Sequence, residues 1–385
     1  MELQQFDVAV IGAGPAGAMA AYELAKAGKQ VLVVEKKELP RYKVCGGGFV
    51  YRGLRQMPFN VEEAIDLQYK KIDIFFKNGV HLESSSDHPT LSMVMRDDFD
   101  HLLIQKATQA GAVLESGSKL TSMELKDDGV LLTTTKKSHQ VNAVIAADGA
   151  YSPTAKMAGW KNETRRMVPA LEYEIYVSEE VYQKFSDVVR FDMDAVPYGY
   201  GWCFPKDGHL SVGLGGFHKD KKKFDLKQSC MDYIERLGIT DIVKIKKYGY
   251  NIPIGTRTDG FVKNRVFLVG DAGGFADPIT AEGISNALMT GTWAGQALAQ
   301  SPDDIDKAAD IYKDRLSTDL LPYLKTAAKI ADIFYGYEWL RNVLIKKYGD
   351  YFARYMTQIF SGEKNYPIHL KRKLVQKAWS SLLGK

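Results

Sequence analysis

The first thirty-five residues constrain this chain more than any other stretch. Phe6-Asp7-Val8-Ala9-Val10-Ile11 is a short β-branched run that breaks at once into Gly12-Ala13-Gly14-Pro15-Ala16-Gly17, and an alanine-rich helical pattern then runs to Ala27. Gly12 permits the tight turn, Gly14 lets backbone N–H groups approach a pyrophosphate, and Gly17 lets the helix pack closely on the strand. Pro15 fits near the first helical position, where its missing N–H costs nothing. Gly28 stops the helix, and residues 30–34 form a second apolar strand ending at Glu35, whose carboxylate is placed for the hydroxyls of an adenosine ribose. Isolated G-x-G-x-x-G turns are common. Set between two strands, with an acid at this distance, the motif marks a dinucleotide site.

The 385 residues suggest two or three structural units. With 45% hydrophobic and 25% charged residues the chain reads as globular, and a net charge of only +4 argues against a nucleic-acid partner. Cys45, Cys203 and Cys230 are too dispersed for a disulfide framework or a metal site, so a reducing, cytoplasmic setting is expected. The first strand begins too early to leave room for a secretory segment, and no run of about 20 apolar residues could span a membrane.

After Glu35 comes Leu39-Pro40-Arg41-Tyr42-Lys43-Val44-Cys45-Gly46-Gly47-Gly48-Phe49. Three consecutive glycines imply a loop whose backbone comes close to something, and the cofactor is the expected neighbour. Cys45 is either a reactive group there or a small buried hydrophobe. Residues 71–76 and 79–83 read as strands meeting at Asn78-Gly79, and residues 91–95 as another. Arg96 then opens a helix that runs through Ala110 and stops at Gly111. Residues 112–114, 121–126, 130–135 and 141–146 alternate like sheet strands and lead to Asp148-Gly149, where Asp148 either binds a ligand or caps a turn.

Residues 168–254 change to segments typical of an antiparallel sheet. Within them, alternation would point Tyr198, Tyr200, Trp202 and Phe204 to one face, with Gly199, Gly201 and Cys203 on the other. Such an aromatic wall suits a flat or apolar ligand, or packs under a helix. Residues 265–269 form an apolar strand that runs into Gly270-Asp271-Ala272-Gly273-Gly274, with a long helix from about Gly283 to Ala299. A second helix N-terminus thus faces the nucleotide crevice. NAD alone would not require it, whereas an extended flavin cofactor would: Asp271 can hold ribityl hydroxyls, and the N–H groups near Gly283 and Ile284 can stabilise a reduced isoalloxazine.

The order of these motifs resembles that of FAD-dependent enzymes of the aromatic-hydroxylase type. Lys43-Val44-Cys45-Gly46-Gly47-Gly48 and Tyr200-Gly201-Trp202-Cys203-Phe204-Pro205 look like signatures of the geranylgeranyl reductases, which saturate isoprenoid double bonds. The resemblance covers roughly residues 7–299. It implies that FAD is held by Ala13, Gly14, Ala16, Glu35, Cys45, Gly46, Gly48, Arg96, Asp271, Gly283 and Ile284, with Gly12 and Gly17 shaping the turn. It further implies a prenyl-chain substrate and NADPH or a reduced ferredoxin as electron donor. Ser152 is followed here by Pro153-Thr154-Ala155 and Lys156, where many relatives carry an Arg that helps seat NADPH.

The expected fold is therefore α/β: a Rossmann-like FAD-binding domain (1–50, 96–160 and 262–300) interleaved with a mainly antiparallel sheet domain (51–95 and 161–261), then a helical region (301–385). Helices are expected over 305–324, 326–334 and 339–360. Cys45, Tyr200 and Trp202 are the expected catalytic residues: Cys45 or a water as proton donor, and the two ring faces as stabilisers of positive charge. An aromatic monooxygenase or halogenase and a non-catalytic flavin or lipid carrier are the alternatives. The halogenases would be expected to show Trp-x-Trp-x-Ile-Pro, where this chain has Tyr200 and Phe204. Finally, Ile368, Val375, Trp379 and Leu382 fall near one side of a helix, with Lys371, Arg372, Lys373 and Lys377 supplying charge. Such a segment packs on the protein itself or touches an anionic membrane surface as a peripheral contact.

Overall fold

A computed structural model describes residues 4–216 and 225–368. Its first sheet is built around the Gln4–Ile11 strand, which pairs in parallel with Val31–Val34 on one side and Ser138–Ala146 on the other. Val113–Glu115 extends the sheet beyond Val31–Val34, and Val266–Leu268 extends it beyond Ser138–Ala146, both in parallel. Both faces of the central strand are covered. Val8 and Val10 pack with the Pro15–Lys26, Arg96–Gln109 and Ile284–Gln300 helices, while Ala9 and Ile11 face the antiparallel strands Leu120–Lys126 and Gly129–Thr134.

The second sheet has seven strands in the order Ile242–Pro253, Met167–Val177, His209–Gly216, Gly199–Lys206, Val189–Met193, Lys71–Phe75, His81–Ser85. All pairings are antiparallel except that between Val189–Met193 and Lys71–Phe75. One face carries Tyr200, Trp202 and Phe204 and is covered by the C-terminal helices through Phe334, Tyr335 and Phe360. The other packs Cys203 against Cys230, Tyr233 and Ile234 of the Leu226–Leu237 helix. A small third sheet, Gly48–Val50, Leu91–Met93 and Leu67–Tyr69, joins the glycine loop to the rest. The architecture is the α/β fold expected from the sequence, with a helical C-terminal stretch.

Several elements differ from expectation. The helix expected over 305–324 ends at Asp319, and a new one runs Leu321–Gly336. Pro322 is the reason, since it has no N–H to donate into a preceding turn but is tolerated in the first turn of a new helix. The Leu226–Leu237 helix was not anticipated, although Asp225 caps it by accepting from the Lys227 and Gln228 N–H groups at 2.9 and 3.1 Å, and Gly238 ends it at φ 73°. Tyr198 lies outside the aromatic strand at φ 56° and is 36% exposed, so the expected row of four aromatics is a row of three. The basic amphipathic segment falls outside the described residues beyond Ile368.

Two helices meet almost backbone to backbone. A Cβ placed on Gly291 would lie 2.0 Å from the Ala16 carbonyl oxygen, so the Ile284–Gln300 helix approaches the Pro15–Lys26 helix only because that position has no side chain. Gly291→Ala should therefore destabilise the protein by about 1–3 kcal/mol through overpacking. Gly336→Ala, with nothing within 4 Å of the added atom, should leave the thermal midpoint unchanged or slightly raised. Thermal unfolding of the two variants side by side checks the expectation.

Candidate active site

The Pro15–Lys26 helix starts without a side-chain cap, so its first N–H groups are left for a ligand. It opens on a cavity of about 670 Å³. Gly14 lines this cavity, and a Cβ there would meet nothing closer than the Arg41 guanidinium at 3.9 Å. The missing side chain at Gly14 thus leaves space for a ligand. Glu35 Oε2 accepts from the Ala13 N–H at 2.9 Å and Oε1 from the Lys37 N–H at 3.1 Å, which fixes the carboxylate at the end of the second strand.

Two guanidiniums stand beside the glycine turn. Arg96 grips the fully buried Asp100 with two hydrogen bonds of 2.8 and 2.9 Å, and Arg41 donates to the same carboxylate at 2.7 Å. Arg41 Nε also lies 3.9 Å from Glu35 Oε1, so the two guanidiniums are balanced by two carboxylates, and both line the cavity. Across the cavity stand Asp271, Gly283 and Ile284. Among the described residues no hydrogen bond from the protein reaches the Asp271 carboxylate, whereas Glu282 accepts from the Ser285 N–H at 2.7 Å and so holds the start of the second helix.

The far wall is aromatic. Tyr200, Trp202 and Phe204 are all buried and line the cavity, with successive ring centroids 6.2 Å apart. The Tyr200 hydroxyl donates to the Thr280 carbonyl, and the Trp202 indole N–H is buried without a partner. The glycine loop lies against this wall. A Cβ on Gly46 would meet Trp202 Nε1 at 2.9 Å, one on Gly47 the Val94 carbonyl at 2.1 Å, and one on Gly48 the Phe204 ring at 3.1 Å. The three glycines, expected to make room for the cofactor, make room first for the protein's own rings and backbone. Cys45 is half-buried on the same loop, its sulfur accepting from the Gly47 N–H at 3.4 Å.

Of the thirteen anticipated cofactor positions, all but Ala13 and Gly17 line the one cavity: Gly12, Gly14, Ala16, Glu35, Cys45, Gly46, Gly48, Arg96, Asp271, Gly283 and Ile284, together with the expected catalytic Tyr200 and Trp202. Ala13 acts behind it through Glu35, and Gly17 through its contact with the Gly12 carbonyl. Asp148 braces the start of the Pro153–Met157 helix, accepting from the Ser152 hydroxyl at 2.5 Å and the Thr154 N–H at 2.9 Å, while Ser152 is the cap; Asp148 also lines the cavity. Tyr42, Glu172, Tyr250 and Phe360 also line the cavity and were missed. For Glu172 a signal existed: two acids, at 172 and 174, share one face of an otherwise apolar strand.

An uncapped helix N-terminus, paired guanidiniums, a carboxylate free to take hydroxyl donors and an unpartnered indole N–H form an elongated site that fits a flavin dinucleotide. The family described as FAD binding domain matches residues 5–194. The protein is an FAD-dependent oxidoreductase. Digeranylgeranylglycerophospholipid reductase 2 of Methanopyrus kandleri is 30% identical, over 86% of this chain and 87% of its own. The chloroplastic geranylgeranyl diphosphate reductase of Arabidopsis thaliana is 29% identical, over 91% and 79%. Among solved structures, a geranylgeranyl bacteriochlorophyll reductase-like protein of Thermoplasma acidophilum superposes with a TM-score of 0.76 at 23% identity, covering 98% of this chain and 96% of its own. A flavin-dependent brominase shares the fold with a TM-score of 0.72 at 19% identity, covering 98% and 100%. The chain belongs to the geranylgeranyl reductase family.

Removing the Glu35 carboxylate leaves the Ala13 N–H without its acceptor and takes a hydroxyl acceptor from the cofactor site. Glu35→Ala should weaken FAD retention by about 1.5–3 kcal/mol, roughly a tenfold loss or more. The flavin-to-protein absorbance ratio after gel filtration reads this directly, and a normal ratio would contradict the placement.

Proposed function

We propose that this protein saturates carbon–carbon double bonds of a prenyl chain, using two electrons delivered as hydride by reduced FAD. The observation that carries the reading is the aromatic wall. It borders both the dinucleotide cavity and a smaller apolar pocket of about 40 Å³, and Phe191, Tyr200, Thr280 and Phe360 line the two together. The smaller pocket is walled by side chains such as Ile72, Ile74, Phe334 and Phe352, which suits a hydrocarbon and offers little to a polar substrate.

The chemistry asks three things of these residues. The alkene has to be held in line for hydride, positive charge building on its second carbon has to be stabilised, and a proton has to arrive there. The faces of Tyr200 and Trp202 offer cation–π stabilisation, and Cys45 is a thiol on the glycine loop that lies against them. NADPH or a reduced ferredoxin is the proposed donor of electrons to the flavin, with the exposed Lys156 on the Pro153–Met157 helix the nearby cation for a phosphate. The brominase neighbour shares the fold alone, and oxygen chemistry of that kind would need oxygen for turnover.

Anaerobically reduced protein should be reoxidised by a geranylgeranyl lipid with no oxygen present. Trp202→Ala should keep its flavin and slow this step at least about tenfold, in line with loss of 1.5 kcal/mol or more of charge stabilisation. Stopped-flow flavin absorbance gives the rates. Reoxidation only on admitting oxygen would favour the monooxygenase or halogenase reading, and no reoxidation in either case a carrier.

Peripheral contact with an anionic membrane belongs to the same reading, since a prenyl lipid is drawn from a bilayer. No helix among the described residues is long and apolar enough to cross one. Support comes from the C-terminal helices, where Trp339, Val343 and Tyr351 are 69%, 60% and 63% exposed, with Lys346 and Lys347 between them. Full-length protein should sediment with anionic vesicles at low salt and less at high salt, and Trp339→Glu should weaken binding with flavin content unchanged.

A further inference from the structure

Beside the cavity lies a cluster of titratable side chains that flavin binding leaves unused. Glu172 and Glu174 are two residues apart on the Met167–Val177 strand, so their carboxyls leave the same face, and each is only 2% exposed. The Tyr42 hydroxyl lies 2.6 Å from Glu172 Oε1 and 3.1 Å from Glu174 Oε1. It carries one hydrogen and faces two acceptors. The arrangement is satisfied only if the carboxyl pair holds a further proton; otherwise two like charges are buried side by side with one donor between them.

The surroundings decide where that proton sits. His209 Nε2 is 3.1 Å from Glu174 Oε2, an ion pair when the ring is protonated. No ion pair reaches Glu172 among the described residues. Its facing neighbours are Tyr42, Glu174, Tyr248 across the strand pair, whose ring stacks on Tyr42 at 4.4 Å, and Lys206. Lys206 is fully buried and its ammonium donates to the Val94 carbonyl at 2.9 Å, with Asp66 and Cys45 also in its field. Lys43, on the loop beside Tyr42, stands over the Tyr250 ring at 3.8 Å. Burial and the Glu174 charge push the Glu172 carboxyl up to about 8. Burial is the largest influence on Glu174 and acts to raise it, but His209, Lys206 and the hydrogen bond with Glu172 together hold that group below the ordinary carboxylate range. Glu172 is therefore the protonated member at neutral pH, and with Tyr42 it lines the cavity.

We propose that Glu172, Glu174 and the Tyr42 hydroxyl form a buried proton store, and that Glu172 gives its proton to the alkene carbon opposite the one that receives hydride. This rests on the cavity taking a prenyl alkene. Saturation breaks the π bond and makes two C–H bonds, one with hydride and both its electrons from reduced flavin, the other with the Glu172 proton. Glu172 is left as a carboxylate and regains a proton through the Tyr42 hydroxyl, from the Glu174–His209 side or from water entering the cavity after product leaves.

Infrared spectroscopy of the FAD-loaded protein without substrate should show the C=O stretch of a protonated carboxylic acid at neutral pH. It should disappear as pH rises through about 8 and be absent in Glu172→Gln. In Glu174→Gln, where the neighbouring charge is gone, the band should titrate at lower pH. Reoxidation of reduced wild type by a geranylgeranyl lipid should fall across the same range, and Glu172→Gln should be about 10²–10⁴-fold slower with that pH edge lost. Normal flavin content and thermal midpoint in Glu172→Gln confirm that it folds. A missing band in wild type, a band that survives in Glu172→Gln, or a wild-type rate in that variant overturns the proposal, as does a pH edge abolished by Cys45→Ala and kept by Glu172→Gln. A titrating band in a wild type that prenyl lipid never reoxidises overturns the prenyl reading and the delivery step, and leaves only the store.

Discussion

The close approach of two helices through Gly291 is the contact on which the rest depends. The Ile284–Gln300 helix reaches the Ala16 carbonyl because no side chain intervenes, and the Pro15–Lys26 helix reaches the Gly12 carbonyl through Gly17 for the same reason. Both helices thereby begin at one cavity, and their N-terminal partial positive charges face the same space. A methyl group at Gly291 would push the two helices apart, and one at Gly17 would push the first helix off its own glycine turn. The dinucleotide site is thus a consequence of packing density as much as of the motif that marks it.

The loop of residues 39–48 ties this cavity to the second sheet. Arg41 reaches back to Asp100 on the Arg96–Gln109 helix, Tyr42 reaches across to Glu172 and Glu174, and Gly46 and Gly48 lie against Trp202 and Phe204. One short segment therefore connects the positive end, the acidic cluster and the aromatic wall. A shift of the loop would disturb all three together, which is why substitutions there are poor probes of any single role.

Much of the first sheet was legible in the chain because its strands are short β-branched runs bounded by glycine, and buried parallel strands have little freedom to be anything else. The aromatic row was legible from alternation alone, apart from Tyr198, which a left-handed turn removes from the strand. The break at Leu320 was misplaced because helical periodicity continues through it, and only the missing N–H of Pro322 interrupts the ladder. Glu172 and Glu174 carried a signal in their spacing, but acids at alternate positions are also the ordinary pattern of a solvated strand face. Nothing local says that this face is covered.

By itself the sequence determined most of the order of elements, the dinucleotide turn, the acid at Glu35 and the aromatic repeat, since each rests on local geometry: periodicity, turn chemistry and capping. The tertiary structure alone decided which of these meet. It turned the three glycines toward Trp202, Val94 and Phe204 as well as toward the cavity, set Asp148 under the Ser152 helix cap at the cavity's edge, and brought Tyr42 to two carboxylates 130 and 132 residues away. The physical reason is that burial and charge coupling depend on neighbours from distant parts of the chain. The proton affinity of Glu172 is set by what surrounds it, and no stretch of sequence around Glu172 contains Tyr42 or Lys206.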